Sequence, residues 1–158
     1  MGRSGCQTTP PLLFKGAHVD SKEKQGKTMD KVCVLIVDDQ EEMLDLLTLV
    51  LRGEGFYPAT AIDGKHALKM LQEFRPAVII TDLMMPEISG IDLIKKVRAM
   101  PDLAQVPILA MSADSTGLLP EAEKAGATEA IRKPIDLDRL VKKLREFIPH
   151  SAPMGKQT

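Results

Sequence analysis

Apolar and polar positions follow two different periods along the chain, and the period switches at regular intervals. KVCVLIVDD (31–39) is a continuous apolar run closed by charge, the pattern of a strand buried on both faces. In EEMLDLLTLVLRGEG (41–55), Met43, Leu46, Leu47, Val50 and Leu51 recur at helical spacing, and Gly53 or Gly55 provides the stop. FYPATAI (56–62) predicts a short strand, and its Pro58 suits an edge because proline donates nothing to a ladder. Asp63 is placed to cap a helix over GKHALKMLQEF (64–74), which stops before Pro76. AVIITD (77–82) predicts a third strand, and GIDLIKKVRAM (90–100) a helix with Ile91, Leu93, Ile94 and Val97 as its apolar positions. VPILAMSA (106–113) predicts a fourth strand. Pro120 to Gly126 begins and ends a short helix, and ATEAIRKP (127–134) reads as a weak fifth strand. Asp136 or Asp138 opens a last helix with Leu137, Leu140, Val141, Leu144 and Phe147 on one face.

Strands that alternate with helices imply a parallel sheet covered by helices on both faces, an α/β doubly wound fold. In such a sheet the ligand crevice lies beyond the carboxyl ends of the strands. Five units of this kind fill residues 30–149 as one domain. Residues 1–29 are rich in Gly, Ser, Thr, Pro and Lys and lack an apolar period, so they read as a disordered tail, an appended extension, or an upstream start ahead of Met29. Residues 150–158 read as a flexible end.

Composition narrows the function classes. Aromatic residues are limited to Phe14, Phe56, Tyr57, Phe74 and Phe147, so the core must be aliphatic and little is left for stacking on bases. The net charge of −1 gives no global field for nucleic acid or membrane, and neither is expected as a partner. No run approaches the length of a membrane span, and Arg3 is followed by no continuous apolar segment of the secretory kind. A cytoplasmic protein is the expectation. Cys6 and Cys33 belong to no metal-spaced set, and Cys33 sits in an apolar run as a small core residue.

The predicted strand ends carry the chemistry. Strand one ends in Asp38-Asp39, strand three in Asp82, strand four in Ser112-Ala113 and strand five in Lys133-Pro134. Taken singly, each has an ordinary explanation: Asp82 as a turn former, Asp38-Asp39 as a helix cap, Lys133 as a surface lysine, Ser112 as a strand-end hydroxyl. Gathered at one edge, three carboxylates repel, and at least one proton affinity rises unless a cation sits among them. Hard oxygen donors with open positions suit Mg²⁺. Lys133 adds a point charge for a phosphoryl oxygen and Ser112 a hydroxyl donor. The set is coherent if Asp82 is a nucleophile that takes a phosphoryl group as an acyl phosphate.

VLIVDDQ, TDLMMPEISG, MSA and RKP, in that order and spacing, resemble the receiver domain of two-component response regulators, over roughly residues 30–149. The resemblance implies a flavodoxin-like sheet of five parallel strands in the order 2-1-3-4-5 with five helices. It implies that Asp82 is the phosphoacceptor, and that Asp38, Asp39, Asp82 and the backbone carbonyl of Met84 hold Mg²⁺, with Asp39 the more direct ligand of the first pair. It implies that Ser112 bonds and Lys133 pairs with the phosphoryl group, and that Pro134 follows a cis peptide. The phosphoryl group would come from a sensor histidine kinase or a histidine phosphotransfer protein. The only chemistry expected is self-phosphorylation and self-dephosphorylation, so the chain is not expected to be an enzyme in its own right. Side chains at Met84 and Asp114 would influence the lifetime of the acyl phosphate.

One position departs from the family. An aromatic residue usually stands three places before the lysine and switches rotamer with the Ser/Thr; here that place is Ala130. A stand-alone receiver acting through altered affinity for a downstream protein is the expectation, with the face of the fourth helix, fifth strand and fifth helix as its output surface. The alternatives are a constitutive interaction module of the same fold, or a fragment of a hybrid kinase or longer regulator. Other classes fit less well. A flavin or nucleotide binder wants a Gly-rich or Ser/Thr-rich loop where this chain has DDQEE, and an Asp-nucleophile hydrolase wants DxD on strand one. A transcription factor needs a further domain, and few residues follow the last helix. His18, His66 and His150 share no cluster, the Met84-Met85 pair reads as packing, and Lys95-Lys96 and Lys142-Lys143 read as solvated helix faces.

Overall fold

The computed structural model describes residues 32–113 and 117–148. Strands and helices alternate as β1 (Cys33–Val37), α1 (Glu41–Gly53), β2 (Tyr57–Ala61), α2 (Gly64–Met70), β3 (Val78–Asp82), α3 (Gly90–Arg98), β4 (Ile108–Ser112), α4 (Leu118–Ala125), β5 (Glu129–Arg132) and α5 (Leu137–Phe147). The five strands form one parallel sheet in the order β2-β1-β3-β4-β5. The tails expected over 1–29 and 150–158, with Cys6, His18 and His150, lie outside the described residues, as does Asp114.

Strand side chains alternate between faces, and this divides the core in two. Leu35, Val37, Ile79 and Ala110 point to the side covered by α2, α3 and α4, where Met70, Phe74, Leu93, Ile94 and Val97 complete one apolar layer. Val34, Ile36, Ile80, Leu109 and Met111 point to the side of α1 and α5 and meet Leu44, Leu47, Leu51, Leu140 and Leu144. Cys33 is buried at the start of β1. Pro58 lies in β2, an edge strand, as its missing donor requires.

Capping side chains place three of the helix starts, and at α3 Ser89 Oγ accepts from Asp92 N at 3.1 Å. Asp63 accepts from His66 N at 2.7 Å and opens α2. Asp136 accepts from the amides of Asp138 and Arg139, so Asp136 rather than Asp138 opens α5.

Other boundaries differ from the sequence pattern for local reasons. α2 ends at Met70, and residues 71–73 finish as a turn whose amides still bond back to Ala67, Lys69 and Met70. α4 begins at Leu118 after Gly117, whose φ of 130° suits glycine, so Pro120 is its third residue. Its missing N–H falls among first-turn amides that have no partner inside a helix. Pro101–Leu103 forms a 3₁₀ turn that the pattern did not indicate. On α1 the buried stripe is Leu44, Leu47 and Leu51, whereas Leu46 is 42% exposed. Leucines surround this helix, and periodicity alone did not select the inward face.

Arg98, in the last turn of α3, ties the amino edge of the sheet together. Its Nε donates to Gly126 O at 2.9 Å, and its Nη1 donates to Leu103 O at 3.1 Å and Ala104 O at 3.0 Å. Its side chain also occupies the space a Cβ on Gly126 would need, with Cγ 2.7 Å from that position. Arg98→Ala leaves three carbonyls to find water and is expected to cost about 2–4 kcal/mol in urea denaturation. Arg98→Lys is expected to recover less than half of that, because an ammonium cannot reproduce the planar fork. A loss under about 0.5 kcal/mol, the level of a plain surface substitution, would contradict the assignment.

Candidate functional site

The sheet order puts β1 between β2 and β3, so the connections leaving β1 and β3 diverge and open a crevice at their carboxyl ends. Asp38 and Asp39 follow β1, and Asp82 is the last residue of β3. One carboxylate oxygen from each of the three lies within 4.8 Å of the others. Asp38 is fully buried, Asp82 nearly so, and Asp39 exposed. Lys133 follows β5 and reaches across β4's end, placing Nζ 3.3 Å from Asp38 Oδ2 and 3.2 Å from Asp82 Oδ1. The peptide from Lys133 to Pro134 is cis.

The local alternatives are answered by these contacts. Asp38 Oδ1 accepts from Gln40 N at 2.9 Å, a short-range turn bond, but the N-cap of α1 is Gln40. Asp82 meets Lys133 through its carboxylate, while the turn after it is closed by Gly90 N donating to Leu83 O at 3.0 Å. Ser112 is fully buried at the end of β4, and its carbonyl accepts from Lys133 N at 2.9 Å. Met85 is buried as packing, whereas Met84 is 55% exposed beside the crevice. His66 lies on α2, away from the aspartates in sequence, and accepts from Ile62 N at 3.4 Å. Lys95, Lys96 and Lys142 are exposed, but Lys143 pairs with Glu129 at 2.8 Å. Ala130 lies in β5 opposite Ala110, half-buried against the core beneath α2, α3 and α4.

Charge is unbalanced in the crevice. Burial pushes the Asp82 carboxyl above the ordinary carboxylate range; Lys133 works against this, and Asp38 and then Asp39 add to it. Burial by itself would lower the Lys133 ammonium, but Asp82 and Asp38 outweigh it and the net shift is upward. A single ammonium pairs with two of three clustered carboxylates, which leaves two negative charges uncompensated when all are ionised. A small divalent cation with oxygen ligands fits that deficit, and the exposed Asp39 leaves it a way in.

The fold is thus a parallel α/β sandwich with three aspartates and a lysine gathered at its carboxyl edge. Residues 34–145 match the model of the response regulator receiver domain, and the chain belongs to that family. It is 39% identical over 114 residues to the DNA-binding response regulator MtrA of Mycolicibacterium paratuberculosis, covering 71% of this chain and 49% of that one. It is 34% identical over 128 residues to the transcriptional regulatory protein ZraR of Salmonella typhimurium, covering 80% and 29%. The chain therefore spans about half or less of the curated relatives it matches. Among solved structures it resembles the chemotaxis response regulator CheY4 of Vibrio cholerae, with a TM-score of 0.70, 31% identity, and coverage of 74% of this chain and 98% of that one. Receiver domains are modules of two-component signalling that bind Mg²⁺ at an acidic pocket and interact with histidine kinases or phosphotransfer proteins. Among the described residues no helix is long and apolar enough to cross a membrane.

Because burial raises Asp82, its ionisation opposes folding when no cation is bound. The favourable protonated contribution is complete at acid pH and is lost as pH rises through the raised value. Asp82→Asn is therefore expected to melt several degrees above the wild type in chelated buffer at neutral pH. The gap should close on acidification, when the wild-type carboxyl is itself neutral. Calorimetry between about pH 4 and pH 8 reads both effects, and equal melting at neutral pH would contradict the charge imbalance.

Proposed function

We propose that this receiver accepts a phosphoryl group on Asp82 from a phosphohistidine of a sensor kinase or phosphotransfer protein, with Mg²⁺ bound by Asp38, Asp39, Asp82 and the carbonyl of Met84. The observation that carries this reading is the convergence of three aspartates and Lys133 at the crevice between β1 and β3. An Asp82 oxygen attacks phosphorus in line, its P–O bond forms as the P–N bond breaks, and the histidine nitrogen keeps the electron pair. Mg²⁺ supplies charge neutralisation for the transferring oxygens. Lys133, 3.2 Å from an Asp82 oxygen, would move onto the phosphoryl oxygens once the carboxylate has become an acyl phosphate. Ser112, at the adjoining strand end, is the hydroxyl donor to the same group. Hydrolysis of the acyl phosphate resets the protein, so the chemistry is confined to its own aspartate.

Output is a change in protein affinity, and the face formed by α4, β5 and α5 is its first candidate. Ala130 excludes an aromatic rotamer switch there, so either backbone and loop shifts carry the change or output does not depend on this face. A second reading is favoured by the relatives. MtrA and ZraR are described as DNA-binding and transcriptional regulators, and the chain covers only part of each. In that reading the same switch governs an attached domain, and DNA enters as a partner of the whole protein rather than of the receiver.

Incubation with acetyl phosphate and Mg²⁺ is expected to add one phosphoryl mass that hydroxylamine removes. Asp82→Asn and a chelated sample should show none. An adduct that survives in Asp82→Asn would overturn the assignment of the acceptor.

A further inference from the structure

The peptide that follows the proposed acceptor is held on every side. The carbonyl of Asp82 accepts from the buried hydroxyl of Thr81 at 2.9 Å. The N–H of the same peptide, on Leu83, donates to Met111 O at 2.9 Å. The next carbonyl, Leu83 O, accepts from Gly90 N at 3.0 Å. Gly90, the first residue of α3, also lies flat against this segment: a Cβ there would stand 2.2 Å from Asp82 O and 2.6 Å from Leu83 Cα. Those are backbone atoms and cannot rotate away. Gly90 is not among the residues of positive φ, so the requirement is for close approach and not for backbone conformation.

We propose that Thr81 and Gly90 are positioning residues for Asp82, clamping the Asp82–Leu83 peptide so that the Asp82 carboxylate and the Met84 carbonyl face one cation. This rests on the reading of Asp82 and Met84 as its ligands. The two donors are separated by only two peptides, so a rotation of the first peptide moves one donor relative to the other. Thr81 fixes the orientation of that peptide from within β3, and α3 closes over it because Gly90 has no side chain. The sequence of the segment, TDLMMPEISG, thus holds a ligand-bearing turn between a hydroxyl and a glycine.

The test compares Thr81→Val, Thr81→Ser and Gly90→Ala with Gly64→Ala. Gly64 also begins a helix, and its Cβ would meet Ile88, principally its side chain at 2.8 Å, so it reports the cost of crowding the same segment without touching the Asp82–Leu83 peptide. Mg²⁺ affinity is read by calorimetry, and acetyl phosphate labelling is split into the Mg²⁺ half-saturation and the maximal rate. Gly90→Ala and Thr81→Val are expected to weaken Mg²⁺ binding about tenfold, with Thr81→Ser close to wild type and Gly64→Ala unchanged. Should Gly90→Ala fail to fold, the Thr81 pair decides the matter. Wild-type Mg²⁺ affinity in Thr81→Val, or equal weakening in Gly64→Ala, would overturn the proposal. A wild type that binds Mg²⁺ but takes no phosphoryl group would defeat the acceptor reading alone, whereas absence of Mg²⁺ binding would defeat both.

Discussion

Three carboxylates share one ammonium at the carboxyl edge of this sheet, and much of the surrounding architecture holds them there against their repulsion. Like charges a few ångströms apart near a protein surface oppose one another by a few kcal/mol, on the order of 4 kcal/mol at 4 Å. That opposition is met by two apolar layers whose residues have no polar demands of their own. β1 and β3 are buried along their whole lengths, so neither strand can retreat to let its aspartate swing into water. Lys133 relieves part of the strain and is held by the sheet as well, through its backbone bond to Ser112.

The same constraint links structure to signalling. On the proposed reading, a site short of two positive charges would accept a divalent cation, and a phosphoryl group would then arrive at a crevice whose charge is already balanced. In the proposed reaction, conversion of the Asp82 carboxylate to an acyl phosphate would leave Lys133 between Asp38 and the new oxygens. Lys133 is joined to β4 and β5, and those strands underlie α4. In this chain the path runs through small side chains, Ala110 opposite Ala130, with no ring to turn over. At the opposite end of α4, Arg98 fastens the chain at Gly126.

Much of this was legible in the sequence because the signals are local. Continuous apolar runs marked the buried strands, Asp63 and Asp136 marked helix starts by their own hydrogen bonds, and the strand order followed from the resemblance carried by the DD, TD, MSA and KP segments. The convergence of Asp38, Asp39, Asp82 and Lys133 was legible for the same reason, since each lies at or just past the end of a strand. What escaped depends on neighbours distant in sequence. Leu46 and Leu44 are chemically alike, and only the packing of α1 on the sheet sends one inward. Arg98 reads as one more basic residue in a last turn until Leu103, Ala104 and Gly126 surround it. Gly90 reads as a poor first residue for a helix, and the reason for it appears only when the Asp82 backbone is seen beneath it.

The most direct test of the account is a titration with beryllofluoride, a phosphoryl mimic, followed through the backbone amide spectrum in the presence and absence of Mg²⁺. The account predicts Mg²⁺-dependent shifts at Asp38, Asp39, Leu83, Met84 and Lys133 that continue into β5 and α4, all absent in Asp82→Asn. A spectrum that stays unchanged with both reagents present would contradict it and leave a receiver fold that does not switch.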